Sequence, residues 1–303
     1  MGKQMSSKPS PQQPPQQQIP GFYHRRLGEM VVTVVSDGYL SGDVDIMRNI
    51  DYADAKAMMT AHFSPERRTH INAFVVRVGG RTALIETGSG DYMQPSSGKL
   101  MQNLQAAGID PKAIDTVLLT HMHPDHSAGL TDRRTGQKNY PNAELVAHVN
   151  EARHWGDDGE MAKGDDRAKA LYFQATREQI APYKDQSRTF DKSVEVFPGI
   201  TAIPALGHTP GHSCFLLESA GERLLIWGDL VHVPEIQVAR PEAAIAFDSD
   251  ADAAIAARRQ IFNMAASEGL LVAGMHLHFP AFSHLIRDSG GYRLLPEPWV
   301  FDL

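Results

Sequence analysis

The chain has 303 residues, of which 42% are hydrophobic and 21% are charged, and its formal net charge at pH 7 is −7. These proportions are close to the average of globular chains, so they exclude a collagen, a coiled coil and a largely disordered protein. The acidic balance offers no cationic surface to a nucleic acid, and no apolar run is long enough to span a bilayer. Neither nucleic acid nor membrane is therefore predicted as a partner.

The cysteine and histidine counts restrict how a metal could be bound. Cys214 is the single cysteine, which excludes an internal disulfide and a cysteine-rich metal cluster. Fourteen histidines remain available. Any metal site must therefore be built from nitrogen and oxygen ligands.

The first twenty residues differ in composition from the rest. Residues 1–20 consist mostly of Gln, Pro and Ser, so burial cannot offset the entropy of ordering them and a disordered tail is predicted. The tail lacks the apolar stretch of a secretory signal. The predicted location is cytoplasmic by default, and periplasmic if a signal has been removed. Residues 21–303 are predicted to form a single domain.

The first half of the globular part is predicted to begin as sheet. Residues 31–35 read as a buried strand closed by a turn at Ser36-Asp37-Gly38, and residues 73–86 read as a β-hairpin. An amphipathic helix is predicted over 96–107, ending at a glycine. The short apolar strand over 116–119 follows, and it leads directly into His121.

The second half repeats this order of elements. Strands are predicted over 144–148, 199–204, 213–218, 222–227 and 270–273, the last of them closing the series, and helices over 166–180 and 251–267. Polar clusters follow the strand ends in both halves. Two strand-rich halves of this kind predict an α/β fold, a four-layer αββα sandwich with two sheets face to face and helices outside.

A dense group of possible metal ligands follows the strand over 116–119. The segment 120–126 reads Thr-His-Met-His-Pro-Asp-His and contains His121, His123, Asp125 and His126. A single histidine in a loop is usually a hydrogen-bonded residue, but four ligand-type side chains in six positions are a different signal. Imidazole and carboxylate groups are what zinc and its neighbours accept. The segment therefore predicts metal binding, with enough ligands for two ions.

The HxHxDH pattern resembles that of the metallo-β-lactamase fold superfamily, whose members carry a dinuclear metal site between two β-sheets. Three later segments are similar to that family's remaining ligand motifs. They are Gly207 to His212, Trp227-Gly228-Asp229, and Gly274 to Pro280, with His208, Asp229 and His276 at the ligand positions. The similarity extends from about Phe22 to Val300.

The resemblance implies a division of ligands between two divalent ions, zinc by default and manganese, cobalt or iron as alternatives. It implies His121, His123 and His208 for the first ion, Asp125, His126 and His276 for the second, and Asp229 as the bridge. His212 is expected to support a ligand from behind. His278 remains an alternative to His276, and otherwise lines the pocket or faces solvent.

Details of the motifs separate the subfamilies. A histidine at 126 and an aspartate at 229, where a cysteine would stand, are unlike the main class of β-lactamases. The flavo-diiron and RNA-processing members fit poorly as well, because this chain has His123 where the former carry a glutamate and lacks the basic surface of the latter. Segments 228–233, 247–250 and 276–285 instead resemble the methyl parathion hydrolase-like branch, which is related to acyl-homoserine lactonases. Glu86, which stands where an aspartate is common, could still hydrogen-bond a ligand histidine.

This resemblance implies a hydrolase of esters, lactones or organophosphate triesters that uses a metal-bridging hydroxide as nucleophile. Asp125 would orient the hydroxide and carry its proton to the leaving alkoxide. His232 would polarise the substrate or line the pocket, and a purely structural role is equally open. The alternatives are a dedicated N-acyl homoserine lactonase and a metal-binding scaffold without turnover.

The pocket and the partners are predicted from the same branch. Trp155, Tyr172 and Phe173 lie in the insert between the halves, which contributes aromatic rings over the metals in related proteins. The competing interpretation is that these rings fill the core, because Tyr172 and Phe173 cannot both face the same way. A small-molecule substrate is the expected partner, and the family suggests a homodimer formed through the N-terminal strands.

Overall fold

The structure is a computed structural model that describes residue 18 and residues 21–303. The predicted disordered tail over 1–20 lies outside the described residues, apart from Gln18. The described strands are β1 Phe22–Leu27, β2 Met30–Gly42, β3 Met47–Arg48, β4 Arg67–Val78, β5 Arg81–Ile85, β6 Thr116–Leu118, β7 Glu144–His148, β8 Ser187–Phe190, β9 Val194–Phe197, β10 Ile200–Pro204, β11 Ser213–Ser219, β12 Glu222–Ile226, β13 Ala244–Ile245, β14 Leu271–Ala273, β15 Phe282–Asp288 and β16 Gly291–Pro296.

The helices lie mainly between the strands of each half. They are α1 Tyr52–Ala61, α2 Leu100–Ala106, α3 Pro124–Ser127, α4 Val149–Gly156, α5 Asp158–Lys163, α6 Asp166–Ala168, α7 Ala175–Ile180, α8 Pro234–Gln237 and α9 Ala251–Glu268. A π-helical segment, Lys169–Gln174, joins α6 to α7. Among the described residues, none of the helices combines the length and apolar character needed to cross a membrane.

Two seven-stranded sheets form the centre of the fold. The first has the order β1-β2-β4-β5-β6-β7-β8 and the second has the order β16-β15-β14-β12-β11-β10-β9. Strands β3 and β13 form a separate pair. The pairs β5–β6, β6–β7, β7–β8 and β12–β14 are parallel. The loops that follow β6 and β12 therefore lie at the carboxyl ends of parallel strands, which is where binding sites of α/β proteins usually occur.

The main core lies between the two sheets. Val32, Val34 and Phe74 of the first sheet are buried in the same cluster as Phe215 and Leu224 of the second. The other face of the first sheet packs under the helices, where Val35, Ala73 and Val75 share a second cluster with residues of α2 and α4. Both faces of the strands are apolar because both are covered. The predicted four-layer αββα sandwich is confirmed.

Several predicted elements differ from the structure. The predicted turn at Ser36-Asp37-Gly38 is wrong, because the residues form a β-bulge and β2 continues to Gly42. The reason is the buried carboxylate of Asp37, which accepts hydrogen bonds from the backbone N–H of Ser89 at 2.9 Å and of Leu100 at 2.8 Å. The same contact places the start of α2 at Leu100, four residues after the predicted start at 96.

The predicted end of the second sheet is also wrong. The strand over 270–273 is not the last one, because the hairpin β15–β16 follows and pairs with it. Helix α1 and strands β1, β8 and β9 were not predicted. The helical prediction over 166–180 is confirmed as α6, the π-helical segment and α7 in succession.

Candidate metal centre

The loop after β6 carries the first group of ligands. β6 is fully buried and ends at Leu118, and α3 begins at Pro124, so the short connection between them cannot extend far from the sheet. Proline suits the first helical position because its missing N–H has no partner there. His121 and His126 are fully buried, whereas the side chain of Asp125 retains 15% exposure. The loop thus aims its donors inward and leaves one carboxylate at the boundary with the cavity.

Two later loops complete the group from the second sheet. Gly207 has φ +132° and a Cβ there would lie 2.1 Å from the backbone nitrogen of Ala254, so only glycine fits beside His208. Gly228 has φ +58°, and its Cβ would lie 2.4 Å from Nε2 of His212. These glycines let the backbone approach closely enough to place His208 and Asp229 opposite the first loop.

The carboxylate of Asp229 is the centre of the arrangement. Its Oδ2 atom lies between 3.1 and 3.5 Å from one Nε2 atom on each of five histidines, which are His121, His126, His208, His232 and His276. Nε2 of His208 lies 3.0 Å from Nδ1 of His123. Oδ2 of Asp125 lies 3.6 Å from Nε2 of both His126 and His276. All seven residues predicted as ligands are therefore brought together.

The outer nitrogens of these histidines face groups that fix the rings. Nδ1 of His208 donates to Oδ1 of Asp248 at 2.9 Å, and Nδ1 of His276 donates to the carbonyl of His70 at 2.6 Å. Nδ1 of His121 is hydrogen-bonded to the hydroxyl of Thr120 at 3.0 Å. Such contacts turn the inner nitrogen of each ring toward the centre, which is the usual arrangement of metal-binding histidines.

The centre contains more nitrogen and oxygen atoms than hydrogen bonds among them can satisfy. Nε2 of His121, Nε2 of His126 and Oδ1 of Asp229 are buried and have no hydrogen-bond partner. One carboxylate oxygen cannot accept hydrogen bonds from five imidazoles, because it has two lone pairs. Divalent cations would satisfy these atoms together, and mixed imidazole and carboxylate donors are what such cations bind. Three sets of neighbouring donors could each hold an ion: His121, His123, His208 and Asp229; Asp125, His126 and His276; and Asp229, His232 and His276.

The histidines of the cluster differ in the direction in which their pKa values are shifted. Burial and the neighbouring histidines hold the pKa of His121 and of His123 well below the usual value. Burial opposes protonation of His208 as well, but its bonds to Asp229 and Asp248 raise its pKa to about 9. Burial also opposes protonation of His126, yet the carboxylates of Asp229, Asp125 and Glu86 raise its pKa well above the usual value. Without metal, the cluster therefore retains protons at His208 and His126.

His212 and Glu86 support the ligands, as the sequence suggested. Nε2 of His212 accepts a hydrogen bond from the backbone N–H of Asp229 at 2.9 Å, and its Nδ1 donates to the carbonyl of Ala205 at 3.0 Å. Oε1 of Glu86 accepts the backbone N–H of Thr120 at 2.8 Å, and its Oε2 lies 3.4 Å from Nδ1 of His126. The longer side chain of glutamate thus comes within ion-pair distance of His126 but does not form the expected hydrogen bond, because Oε2 of Glu86 and Nδ1 of His126 both lack a hydrogen-bond partner.

His232 lies closer to the centre than a pocket-lining role requires. Its Nε2 is 3.1 Å from Oδ2 of Asp229, neither of its ring nitrogens has a hydrogen-bond partner, and its ring stacks 5.3 Å from that of His276. Gln237 fixes it by accepting its backbone N–H at 2.7 Å. The sequence analysis assigned His232 to the substrate, the pocket or a structural role, and did not include it among the metal ligands.

Of the four side chains predicted for the substrate pocket, one lines the cavity and three lie elsewhere. Tyr172 lines the cavity above the cluster, with its ring 5.0 Å from that of His123. Trp155 instead packs beside His123, and Phe173 is buried against Trp155 in the core. His278 faces away: its Nε2 donates a hydrogen bond to the carboxylate of Glu235 at 2.9 Å, and its side chain lines a different cavity. The prediction for Trp155, Phe173 and His278 is corrected, because consecutive residues of one helix point in different directions and Leu277 turns the chain after His276.

Glu151 is a supporting residue that the sequence did not reveal. Its buried carboxylate accepts the backbone N–H of Met122 at 2.9 Å, the backbone N–H of Gly211 at 2.8 Å and Nε1 of Trp155 at 2.8 Å. It therefore joins the two ligand loops, one from each sheet. Asp248, which holds His208, was visible only as part of the branch resemblance. A glutamate in a helix carries no local signal for such a role, because its partners are backbone groups distant in the chain.

The cluster opens into a cavity of about 310 Å³. That is the lower end of the range for small-molecule sites. The side chains that line it outside the cluster are Leu40, Arg67, Thr69, Tyr92, Met93, Gln94, Arg167, Leu171, Tyr172, Ile245 and Phe247. The cavity thus combines mainly apolar walls with a polar base formed by the histidine and aspartate cluster.

Comparisons with known proteins agree with this geometry. The sequence profile of the Metallo-beta-lactamase superfamily matches residues 67–276. A crystal structure described as hydrolase AbOPH in the beta lactamase superfamily is 31% identical, with a TM-score of 0.87 over 94% of this chain and 100% of that chain. The chain belongs to the metallo-beta-lactamase superfamily, and its histidine and aspartate cluster could bind divalent cations.

More distant relatives share the fold or part of the sequence. AidC, described as a dizinc quorum-quenching lactonase, has 23% identity and a TM-score of 0.87 over 93% of this chain and 99% of that chain. The atrochrysone carboxyl ACP thioesterase of Passalora fulva is 29% identical over 161 residues, which are 53% of this chain and 38% of that protein. Ribonuclease Z of Mycolicibacterium gilvum (strain PYR-GCK) is 35% identical over 68 residues, 22% of this chain and 21% of that protein. The chain thus matches less than half the length of these two curated relatives.

Proposed function

We propose that this protein hydrolyses carboxylic esters, lactones or organophosphate triesters at a pair of divalent metal ions, with zinc as the expected metal. The observation that carries the proposal is the convergence of five imidazole nitrogens on Oδ2 of Asp229 at the base of a largely apolar cavity. The likeness to a hydrolase at 31% identity supports it. The branch we propose is the methyl parathion hydrolase-like one.

The proposed ligand sets follow the donor groups. His121, His123 and His208 hold one ion and Asp125, His126 and His276 hold the other, with Asp229 between them. An anionic group between two cations offsets their repulsion. His232 is a further donor beside Asp229 and His276, and it also lines the cavity, where it could contact the substrate.

When bound, such ions supply an ionised water as the nucleophile and polarise the oxygen of the electrophile. Burial opposes ionisation of Asp125, but the imidazoles of His126 and His276 hold its pKa well below the usual range. Its carboxylate is therefore ionised and faces the cavity, where Oδ2 can orient a water and accept its proton. Passing that proton to a departing alkoxide helps lactones and alkyl esters most, because an aryl oxide leaves without protonation.

The test compares three substrates on the metal-loaded protein. We expect measurable kcat/KM for 4-nitrophenyl butyrate, for a medium-chain acyl homoserine lactone or for dimethyl 4-nitrophenyl phosphate, and loss of activity in a chelated sample. The Asp125→Asn variant should lose more activity on the lactone than on the aryl ester. Full activity after complete removal of metal would overturn the proposal.

A dedicated N-acyl homoserine lactonase is the second candidate, and the similarity in fold to AidC is the observation that favours it. A preference for the lactone of two orders of magnitude or more would establish that narrower function. If the protein binds metal and hydrolyses none of the three substrates, the remaining candidate is a metal-binding scaffold without turnover.

A further inference from the structure

Two arginines open into the same cavity as the metal cluster. Arg67 is the first residue of β4, and Arg167 lies in α6 of the insert between the two halves. Both side chains line the cavity together with His123, Asp125 and Asp229. Because they come from separate parts of the chain, the cavity has a cationic group from the first sheet and another from the insert.

Apart from the cluster, these arginines are the charged side chains of the cavity wall among the described residues. No carboxylate oxygen of the described residues lies within 4.0 Å of either guanidinium, the distance that defines an ion pair. Arg67 is held by neutral groups: its Nε donates to the carbonyl of Asp43 at 3.0 Å, and its Nη1 donates to the hydroxyl of Thr69. Nη2 of Arg67 and the guanidinium nitrogens of Arg167, which is an exposed residue, have no hydrogen-bond partner among the described residues, so they can bind a ligand.

The electrostatic setting of Arg67 is that of a cation that is partly buried without a paired anion. Burial lowers its pKa, and the more distant carboxylates of Asp45, Asp43 and Asp125 act in the opposite direction. It remains charged at neutral pH because an arginine is always protonated there. A partly buried cation gains from an anion that binds close to it, since the local dielectric is lower than that of water.

The rest of the protein does not favour an anionic ligand. Its net charge is −7, but charges more than about 8 Å away are largely screened at physiological ionic strength. An anion that reached the cavity would therefore respond mainly to the two arginines, to the metal ions and to the carboxylates of Asp125 and Asp229, whose charge the metal ions would offset. The planar guanidinium matches a carboxylate or a phosphate with two parallel hydrogen bonds.

We propose that the substrate carries an anionic oxyacid group, a carboxylate or a phosphate, which Arg67 and Arg167 bind at the cavity wall while the ester or lactone bond lies at the metal cluster. This inference rests on the proposed hydrolase function and narrows it. The apolar side chains Leu40, Met93, Leu171, Ile245 and Phe247 would contact the carbon chain between the two groups. The expected substrate is thus an anionic ester of moderate size with an apolar middle.

The test uses two esters that differ in one charge. They are the 4-nitrophenyl monoester of adipic acid, which keeps a free carboxylate, and methyl 4-nitrophenyl adipate, which is neutral and of similar length. We expect kcat/KM of the metal-loaded wild type to be at least tenfold higher for the monoester. In Arg67→Gln and in Arg167→Gln, the ratio of kcat/KM for the monoester to kcat/KM for the neutral diester should fall at least fivefold. The fall should come mainly from a higher KM for the anionic ester.

Arg68→Gln is the matched control. It removes the same charge from the next position of β4, where the exposed Arg68 lies over the ring of Tyr39 at 5.6 Å and does not line the cavity. The ratio should stay at the wild-type value in this variant. A wild-type ratio of one or less, or equal ratios in the wild type and both cavity variants, would overturn the anionic subsite while leaving the hydrolase function intact.

A binding measurement that needs no turnover tests the anionic subsite independently of the hydrolase function. It also shows whether the subsite prefers a carboxylate or a phosphate. Isothermal titration of the metal-loaded protein with monomethyl adipate and with butyl phosphate should give at least tenfold weaker binding to the double variant R67Q/R167Q than to the wild type for the anion that the subsite accepts. The anion with the larger loss identifies the preferred group. Because this measurement needs no turnover, it tests the subsite even if neither ester is hydrolysed, and equal affinities of wild type and double variant for both anions would overturn the subsite. The hydrolase function is tested separately with the three substrates named above.

Discussion

Single residues behind the cluster determine how its donors are aimed. The partners of His121, His208 and His276 are a hydroxyl, a carboxylate and a backbone carbonyl, so no common side chain marks these positions in the sequence. The ligands themselves could be predicted because four of them fall in one short segment. Glu151, by contrast, acts on the backbone of two distant loops, and a sequence pattern cannot show that contact.

Asp229→Asn is expected to empty the metal centre. The amide keeps the shape of the side chain but replaces one of the oxygens by a donor and removes the negative charge that faces five imidazoles. Metal content measured by mass spectrometry should fall below half of the wild-type value, and kcat/KM should fall at least a hundredfold. Asp252→Asn, on the exposed side of α9, is the matched control. A variant with full metal content and full activity would show that Asp229 is not a ligand.

Glu151→Gln should loosen both ligand loops. The amide nitrogen would face an N–H group of Met122, Trp155 or Gly211, so at least one buried hydrogen bond is lost. We expect a loss of about 1–3 kcal/mol in the free energy of unfolding and metal affinity weakened about 10–100-fold. Urea denaturation and competition with a chelating dye measure the two effects. Glu160→Gln, at an exposed surface ion pair, should change neither; unchanged metal affinity in Glu151→Gln would contradict the assigned role.

At the scale of elements, the sequence predicted the buried strands and the longer helices well. Residues 117–119 and 224–227 within the predicted strands are apolar because both faces of the sheet are covered there, and that pattern needs no tertiary information. The bulge at Asp37 could not be predicted, because its cause is a set of backbone N–H groups near residues 89 and 100. The hairpin β15–β16 was missed because its strands are partly exposed and mix polar with apolar residues.

Asn72 of β4 links the first sheet to a ligand loop of the second. Its amide nitrogen donates to the carbonyls of Met275 at 2.9 Å and Leu277 at 2.8 Å, on either side of His276. Asn72→Ala should therefore reduce the free energy of unfolding by about 1–3 kcal/mol and lower the occupancy of the ion held by His276. Denaturant titration and metal analysis check this. The exposed Asn142→Ala is the control, with a change of about 0.5 kcal/mol or less; equal effects of the two variants would contradict the link.

At the scale of the whole molecule, protons and metal ions compete for one centre. In the metal-free protein the pKa of His208 is raised to about 9 from the usual 6.5, and that of His126 is raised as well. A histidine whose pKa is higher in the folded state adds stability that is complete below pH 6.5 and is lost as the pH rises toward the folded value. Metal binding displaces these protons, so the affinity for metal rises over the same interval.

The stability of the metal-free protein should accordingly fall between about pH 6.5 and 8.5, whereas that of the metal-loaded protein should not. Urea denaturation of both forms at the two pH values measures this difference. His208→Asn should show a smaller fall in the metal-free form, and His284→Gln, which changes an exposed histidine, should keep the wild-type fall. A fall of equal size in His208→Asn and the wild type would exclude His208 as a source of the pH dependence.

The ligands are divided between the two sheets. His121, His123, Asp125 and His126 follow β6 of the first sheet, and His208, Asp229 and His276 belong to loops of the second. During synthesis the first group emerges well before the last, so a nascent chain that ends before residue 229 has a histidine-rich half-site without its central carboxylate. Tight metal uptake therefore becomes possible only after both sheets have been made and have docked, and retention of metal by a purified sample reports that assembly was completed.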